Sequence, residues 1–143
     1  MPKIRLPARI KNLERLIEFV SSFANEQGFT QNRKSEIELA TDEALVNIVQ
    51  YAYPDNPTGM VDVSCEMDEE NRFIITLSDT GIPFNPLSLP EPALADHITT
   101  REIGGLGILF IKKMVDEVKY RREDGKNILT LIIRKTWGEN GKG

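Results

Sequence analysis

Three short clusters carry residue types whose spacing could do chemistry. The first is Glu38-Leu-Ala-Thr-Asp-Glu-Ala-Leu-Val-Asn47. Glu43 and Asn47 are four apart and so neighbour each other on one face of a helix. A carboxylate beside a neutral amide suits a general base next to a magnesium ligand. Mg²⁺ prefers oxygen donors and takes few from protein when phosphates supply the rest. The second cluster is Asp79-Thr80-Gly81, where a carboxylate at a strand end can accept a hydrogen bond from a ligand amine and the glycine permits close backbone approach. The third is Gly104-Gly105-Leu106-Gly107, whose backbone N–H groups could cradle phosphate at a helix start. No Gly-Lys-Ser/Thr follows, so it is not a P-loop, and Phe110 stands where a Rossmann fingerprint needs its third glycine. Taken singly, the three are a polar helix face, a turn and a hinge.

The elements that must position these clusters follow from the apolar period. Lys3 to Leu6 begins with short alternation, and Ile10, Leu13, Ile17, Val20 and Ala24 then recur at helical spacing up to Gly28. Thr30 reads as the N-cap of a second helix that carries Ile37, Ala44, Leu45, Ile48 and Ala52 toward a core. Val61, Val63, Cys65 and Met67 alternate as a strand. Asp68 to Asn71 turns the chain, and Phe73, Ile75 and Leu77 return beside Asp79. The stretch from Gly81 to Gly104 is long enough to be a lid or binding loop. A third helix carries Leu106, Leu109, Phe110, Met114 and Val115, and two last strands flank the hairpin dipeptide Asp124-Gly125 and run to about Lys135. This order predicts an α+β two-layer sandwich, a mixed, mostly antiparallel sheet with helices on one face.

Composition bounds the rest. A chain of 143 residues predicts one domain over 1–143, its core at about 4–135, with an ordinary globular balance of 40% hydrophobic and 28% charged residues. A net charge of -4 argues against a general nucleic-acid or anionic-membrane surface. Lys119, Arg121 and Arg122 form a short basic cluster that reads as a solvated strand face. The lone Cys65 excludes an internal disulfide framework and reads as a small core residue. Without a signal peptide or an apolar run near 18 residues, the expected location is cytoplasmic.

Taken in order, a Glu-x-x-x-Asn helix, a hairpin ending in Asp-x-Gly and a long loop ending in Gly-x-Gly form a rarer constellation. The chain resembles the ATP-binding (Bergerat-fold) domain of the GHKL superfamily, which includes gyrase, Hsp90, histidine kinases and MutL. The wording Asp-Glu-Ala-Leu-Val-Asn-Ile, Asp-Thr-Gly-Ile-Pro-Phe-Asn-Pro and Gly-Gly-Leu-Gly-Ile, with the tail Met114 to Tyr120, is similar to the bacterial anti-sigma-factor serine/threonine kinases. The resemblance spans about Ile4 to Lys135. It implies ATP and Mg²⁺ as cofactors, with Asn47 on the magnesium and Glu43 as general base. Asp79 would accept from the adenine amino group with Gly81 near the base, and Gly105 and Gly107 would meet the phosphates. Arg101 would reach the terminal phosphate, and Thr130 would match the threonine that helps hold adenine. Pro83 departs from the pattern, standing where the superfamily has a second glycine.

The function so implied is a Mg-ATP-dependent serine/threonine protein kinase acting as an anti-sigma factor. Its partners would be an anti-anti-sigma (STAS-type) protein as substrate, a sigma factor and a second copy of the chain, with no nucleic acid and no membrane. The alternative is a catalytically weak, nucleotide-dependent binding module of the same fold. A histidine-kinase role lacks an acceptor, because the only histidine, His97, falls in the presumed lid.

Overall fold

The computed structural model describes residues 2–54, 58–88 and 111–135. Arg101, Gly105, Gly107 and His97, with most of the expected lid and the start of the third helix, lie outside the described residues. Strand β1 (Lys3–Pro7) is followed by a short 3-10 turn and helix α1 (Leu13–Glu26), then by helix α2 (Gln31–Tyr51). Strands β2 (Met60–Met67), β3 (Arg72–Asp79), β4 (Glu117–Glu123) and β5 (Lys126–Arg134) complete the order, and residues 111–114 are helical.

Local chemistry accounts for the boundaries. The Thr30 side chain accepts from the backbone N–H of Arg33 at 3.1 Å and caps α2. Asp68 Oδ1 accepts from the N–H groups of Glu70 and Arg72, closing the β2–β3 turn. Asp124 and Gly125 both take positive φ, 53° and 74°, the two-residue turn that matches strand twist.

The sheet runs β1-β2-β3-β5-β4. All four pairings among the described residues are antiparallel, where the sequence suggested a mixed sheet. One face is apolar: Val61, Val63 and Cys65 of β2, Phe73, Ile75 and Leu77 of β3, and Leu129, Leu131 and Ile133 of β5 are buried. Against it pack Leu16, Val20 and Ala24 of α1 and Ile37, Ala44, Leu45 and Ile48 of α2. Phe73 anchors this core between Phe23 and Phe29, at centroid distances of 5.3 and 5.7 Å. Burial pushes the Cys65 thiol up to about 12, consistent with an inert core residue.

Candidate functional site

Side chains alternate across a strand, so Phe73, Ile75, Leu77 and Asp79 form one row facing the helices. Asp79 ends that row, replacing an apolar residue with a carboxylate that is only 5% exposed. Its Oδ1 accepts from the Gly81 N–H and from Asn127 Nδ2, both at 2.9 Å. Burial raises the Asp79 pKa above the ordinary carboxylate value. The Asn127 and Gly81 hydrogen bonds and the Arg122 charge oppose that rise.

Gly81 is dictated by space. A Cβ there would lie 2.1 Å from the Ala52 carbonyl oxygen at the end of α2, and that oxygen accepts from the Ile82 N–H at 2.9 Å. Tyr53 ties the same corner together. Its hydroxyl donates to the Met60 carbonyl at 2.6 Å and accepts from the Thr80 N–H at 2.8 Å. The turn after β3 is therefore bolted to the C-terminal end of α2, which carries the first cluster.

On α2, Ala44, Asn47 and Ile48 face Leu77 and Asp79 across a narrow cavity of about 20 Å³, closed by Phe84, Pro86, Tyr120, Asn127 and Leu129. That is room for roughly one water. Phe84 also stacks on Tyr51 of α2, with centroids 4.7 Å apart.

Asn47 is 2% exposed, and neither its Oδ1 nor its Nδ2 has a hydrogen-bond partner among the described residues. A buried amide normally finds partners, so Asn47, without one among the described residues, is a candidate ligand-binding group. Its carbonyl oxygen is a hard donor of the kind Mg²⁺ takes. No group of three or more His, Cys, Asp or Glu side chains able to hold a metal stands among the described residues. This donor set fits a cation held mainly by phosphate oxygens. Glu43, one helical turn before Asn47, is half-buried; burial first, and then the neighbouring Asp42 charge, raise its pKa.

The structure thus brings Asn47 and Asp79 to one cleft, with Gly81 hydrogen-bonded to Asp79 beside it and Glu43 a turn away. It does not bring Thr130 there. Thr130 pairs with Thr76 of β3 and Lys119 of β4, an odd number of residues from Asn127, and so faces the other side of the sheet. Asn127, the direct cross-strand partner of Asp79, occupies the position that the resemblance assigned to the threonine. All three residues of the basic cluster are exposed, and Arg122 in addition donates to the Gly81 carbonyl at 2.8 Å. Sequence reasoning missed Tyr120, Arg122 and Asn127. The Asp124-Gly125 turn does set 122 opposite 127, but their approach to Asp79 depends on a pairing between distant strands.

The described residues thus form an α+β domain, an antiparallel sheet with helices packed on one face. The family of histidine kinase-like ATPase domains matches residues 6–133, and the chain belongs to it. It is similar to the serine-protein kinase RsbW of Bacillus mycoides (strain KBAB4), 25% identical over 96% of this chain and 88% of that protein. The same identity and coverage hold for the RsbW of Bacillus anthracis. Among solved structures, the SiaB–SiaC complex of Pseudomonas aeruginosa superposes with a TM-score of 0.66 at 13% identity, over 93% of this chain and 89% of that one. The RsbU and RsbW domains of a Mycobacterium tuberculosis protein give 0.62 at 15% identity, over 94% of this chain and 32% of that chain. Both show the fold. No helix among the described residues is long and apolar enough to cross a membrane.

Proposed function

We propose that this chain is a Mg-ATP-dependent serine/threonine protein kinase that works as an anti-sigma factor by switching partners. The observation that carries the reading is the buried, unpaired Asn47 amide, one turn after Glu43 and across a cleft from Asp79. The RsbW relatives, named as serine-protein kinases, favour a protein hydroxyl as acceptor.

Asp79 accepts from the 6-amino group of adenine, and Gly81 leaves room for the base edge. Asn47 holds the magnesium, whose charge offsets that building on the phosphates during transfer. Gly105, Gly107 and Arg101 are assigned to the phosphates by resemblance alone. Glu43, whose raised pKa makes it a better proton acceptor than an ordinary glutamate, takes the proton of the incoming serine or threonine hydroxyl. The hydroxyl oxygen bonds to the γ-phosphorus, the bond from that phosphorus to the β–γ bridging oxygen breaks, and ADP leaves. The phosphorylated product is a small STAS-type anti-anti-sigma protein, whose added charge of about -1.5 to -2 disrupts its docking surface. The unphosphorylated form competes with a sigma factor for a cytoplasmic homodimer of this chain.

The test is calorimetry of ATP with and without Mg²⁺, followed by phosphate transfer to a STAS-type protein. Wild type binds ATP, Asp79→Asn loses it, and Asn47→Ala binds without magnesium dependence. Glu43→Gln retains ATP and loses transfer by about 100-fold or more. A wild type that binds no nucleotide overturns the reading. A wild type that binds ATP and never transfers phosphate reduces it to a nucleotide-dependent binding module.

A further inference from the structure

The amide of Asn127 is held by five hydrogen bonds. Its Oδ1 receives the Tyr120 hydroxyl at 2.6 Å, Arg122 Nη1 at 3.1 Å and the Phe84 N–H at 3.3 Å. Its Nδ2 donates to Asp79 Oδ1 at 2.9 Å and to the Ile82 carbonyl at 2.8 Å. Three donors converge on the oxygen and two acceptors on the nitrogen, so a flipped amide would face like against like at every contact but the Tyr120 hydroxyl, which can turn to accept. The side chain is 6% exposed, and water offers little alternative.

From this geometry we infer that Asn127, locked by Tyr120, is the positioning residue that makes the site select a 6-amino over a 6-oxo purine. The inference rests on Asp79 being the group that meets the base. With Asn127 and Gly81 both donating to Oδ1, that oxygen is committed as an acceptor and the ionised carboxylate is favoured, so the base must present a donor to it. Adenine does so with its amino group. Hypoxanthine presents a carbonyl oxygen at that atom, and two acceptors then face each other in a buried place. A protonated Asp79 could instead donate to that carbonyl. Burial pushes the group toward protonation, and the Asn127 hydrogen bond opposes it more than the Gly81 N–H or the Arg122 charge does. Removing that donor frees Asp79 to serve either base.

This role differs from ordinary structural support in what it moves. A residue that merely holds the Gly81–Phe84 turn in place weakens all nucleotides alike. One that fixes Asp79 as an acceptor changes the ratio between two ligands that differ only at the purine ring edge.

The experiment measures dissociation constants for ATP and inosine triphosphate, each with Mg²⁺, on the full chain and on Asn127→Leu and Tyr120→Phe. Wild type is expected to favour ATP by about 100-fold, the scale of a buried acceptor left without its donor. In Asn127→Leu the preference falls below about 10-fold, mainly through weaker ATP binding. Tyr120→Phe keeps both amide donors, releases their lock, and shifts the ratio the same way by less; it carries the test if the leucine variant does not fold. An unchanged ratio in both variants, with both ligands weakened equally, overturns the inference and leaves the site reading intact. Tighter ATP binding on removal of Asn127 also overturns it, since the amide would then be occupying the place of the base. A wild type that binds neither nucleotide overturns the site reading and this inference with it.

Discussion

Two asparagines stand on opposite walls of one cleft, similarly buried and oppositely treated. Asn127, at the start of β5, is 6% exposed and makes five hydrogen bonds to side chains and backbone of three neighbouring segments. Asn47, near the end of α2, is 2% exposed and has no partner among the described residues. The same side chain thus completes the protein at one wall and leaves it incomplete at the other. The base end is built in advance by the chain's own donors and acceptors. The α2 end keeps a polar group and a half-buried carboxylate unspent, which is the arrangement expected where a ligand supplies the remaining contacts.

The sharpest way to break that contrast is to make the same substitution at both sites. Asn127→Leu strands the Tyr120 hydroxyl, the Phe84 N–H and the Ile82 carbonyl, and takes a donor from Asp79. Each buried group left unmade costs about 1–3 kcal/mol, so the variant should lose about 3 kcal/mol or more. Asn47→Leu replaces an amide without partners among the described residues by an apolar side chain beside Ala44 and Ile48. It should be as stable as wild type or more so by about 1 kcal/mol, while losing nucleotide. Urea denaturation without ligand reads both. Equal losses at the two sites would mean that Asn47 is as fully bonded as Asn127, and the contrast would be void.

A smaller effect, opposite in sign to the functional one, is expected at Asp79. Its pKa is raised in the folded state, chiefly by burial. The folded chain therefore binds that proton more tightly than the unfolded chain. Stability falls as pH rises from the unfolded to the folded pKa, and the full cost of the buried charge is reached above the folded pKa. Asp79→Asn keeps an oxygen for the Gly81 and Asn127 donors and removes the charge. The variant should be more stable than wild type at pH 7, with the difference shrinking as pH falls toward the ordinary carboxylate range of about 4. Glu43 and Asp42 also have raised values, so both proteins share their contribution and it cancels in the difference. A variant less stable than wild type at pH 7 would show that the carboxylate is a net stabiliser of the corner, and that the cleft stores no cost for a ligand to use.

Local features were legible in the residues. The Thr30 cap, the Asp68–Asn71 and Asp124-Gly125 turns, both long helices and all five strands follow from period and turn chemistry. The joint presence of Asn47 and Asp79 was legible only in the order of the motifs and the family resemblance that order carries. What was not legible depends on non-local pairing. The order β3-β5-β4 places the last strand in the sheet interior and the one before it at the edge, and no local signal says so. Hence Arg122 read as part of a solvated basic run, although its guanidinium reaches the Gly81 carbonyl. Hence also Asn127 read as an ordinary residue after a turn. Only the register of β5 against β3 reveals it as the partner of Asp79.

The smallest expected effect tests that register directly. Resemblance assigned adenine to Thr130, a hydroxyl flanked in sequence by Leu129 and Leu131. In the sheet those two neighbours face the helices, and Thr130 is on the other face beside Thr76 and Lys119. Three residues separate it from Asn127, and an odd separation cannot return a side chain to the same face of a regular strand. Thr130→Val keeps the shape and the β-branch and removes the hydroxyl. ATP affinity should stay within about twofold of wild type, the scale of a surface change of about 0.5 kcal/mol. A tenfold loss would require the hydroxyl to reach the base, and with it a register shifted by one residue. That shift would carry Asn127 away from Asp79 and turn Leu129 and Leu131 out of the core, so one isosteric change on the far face weighs the whole assignment of the near one.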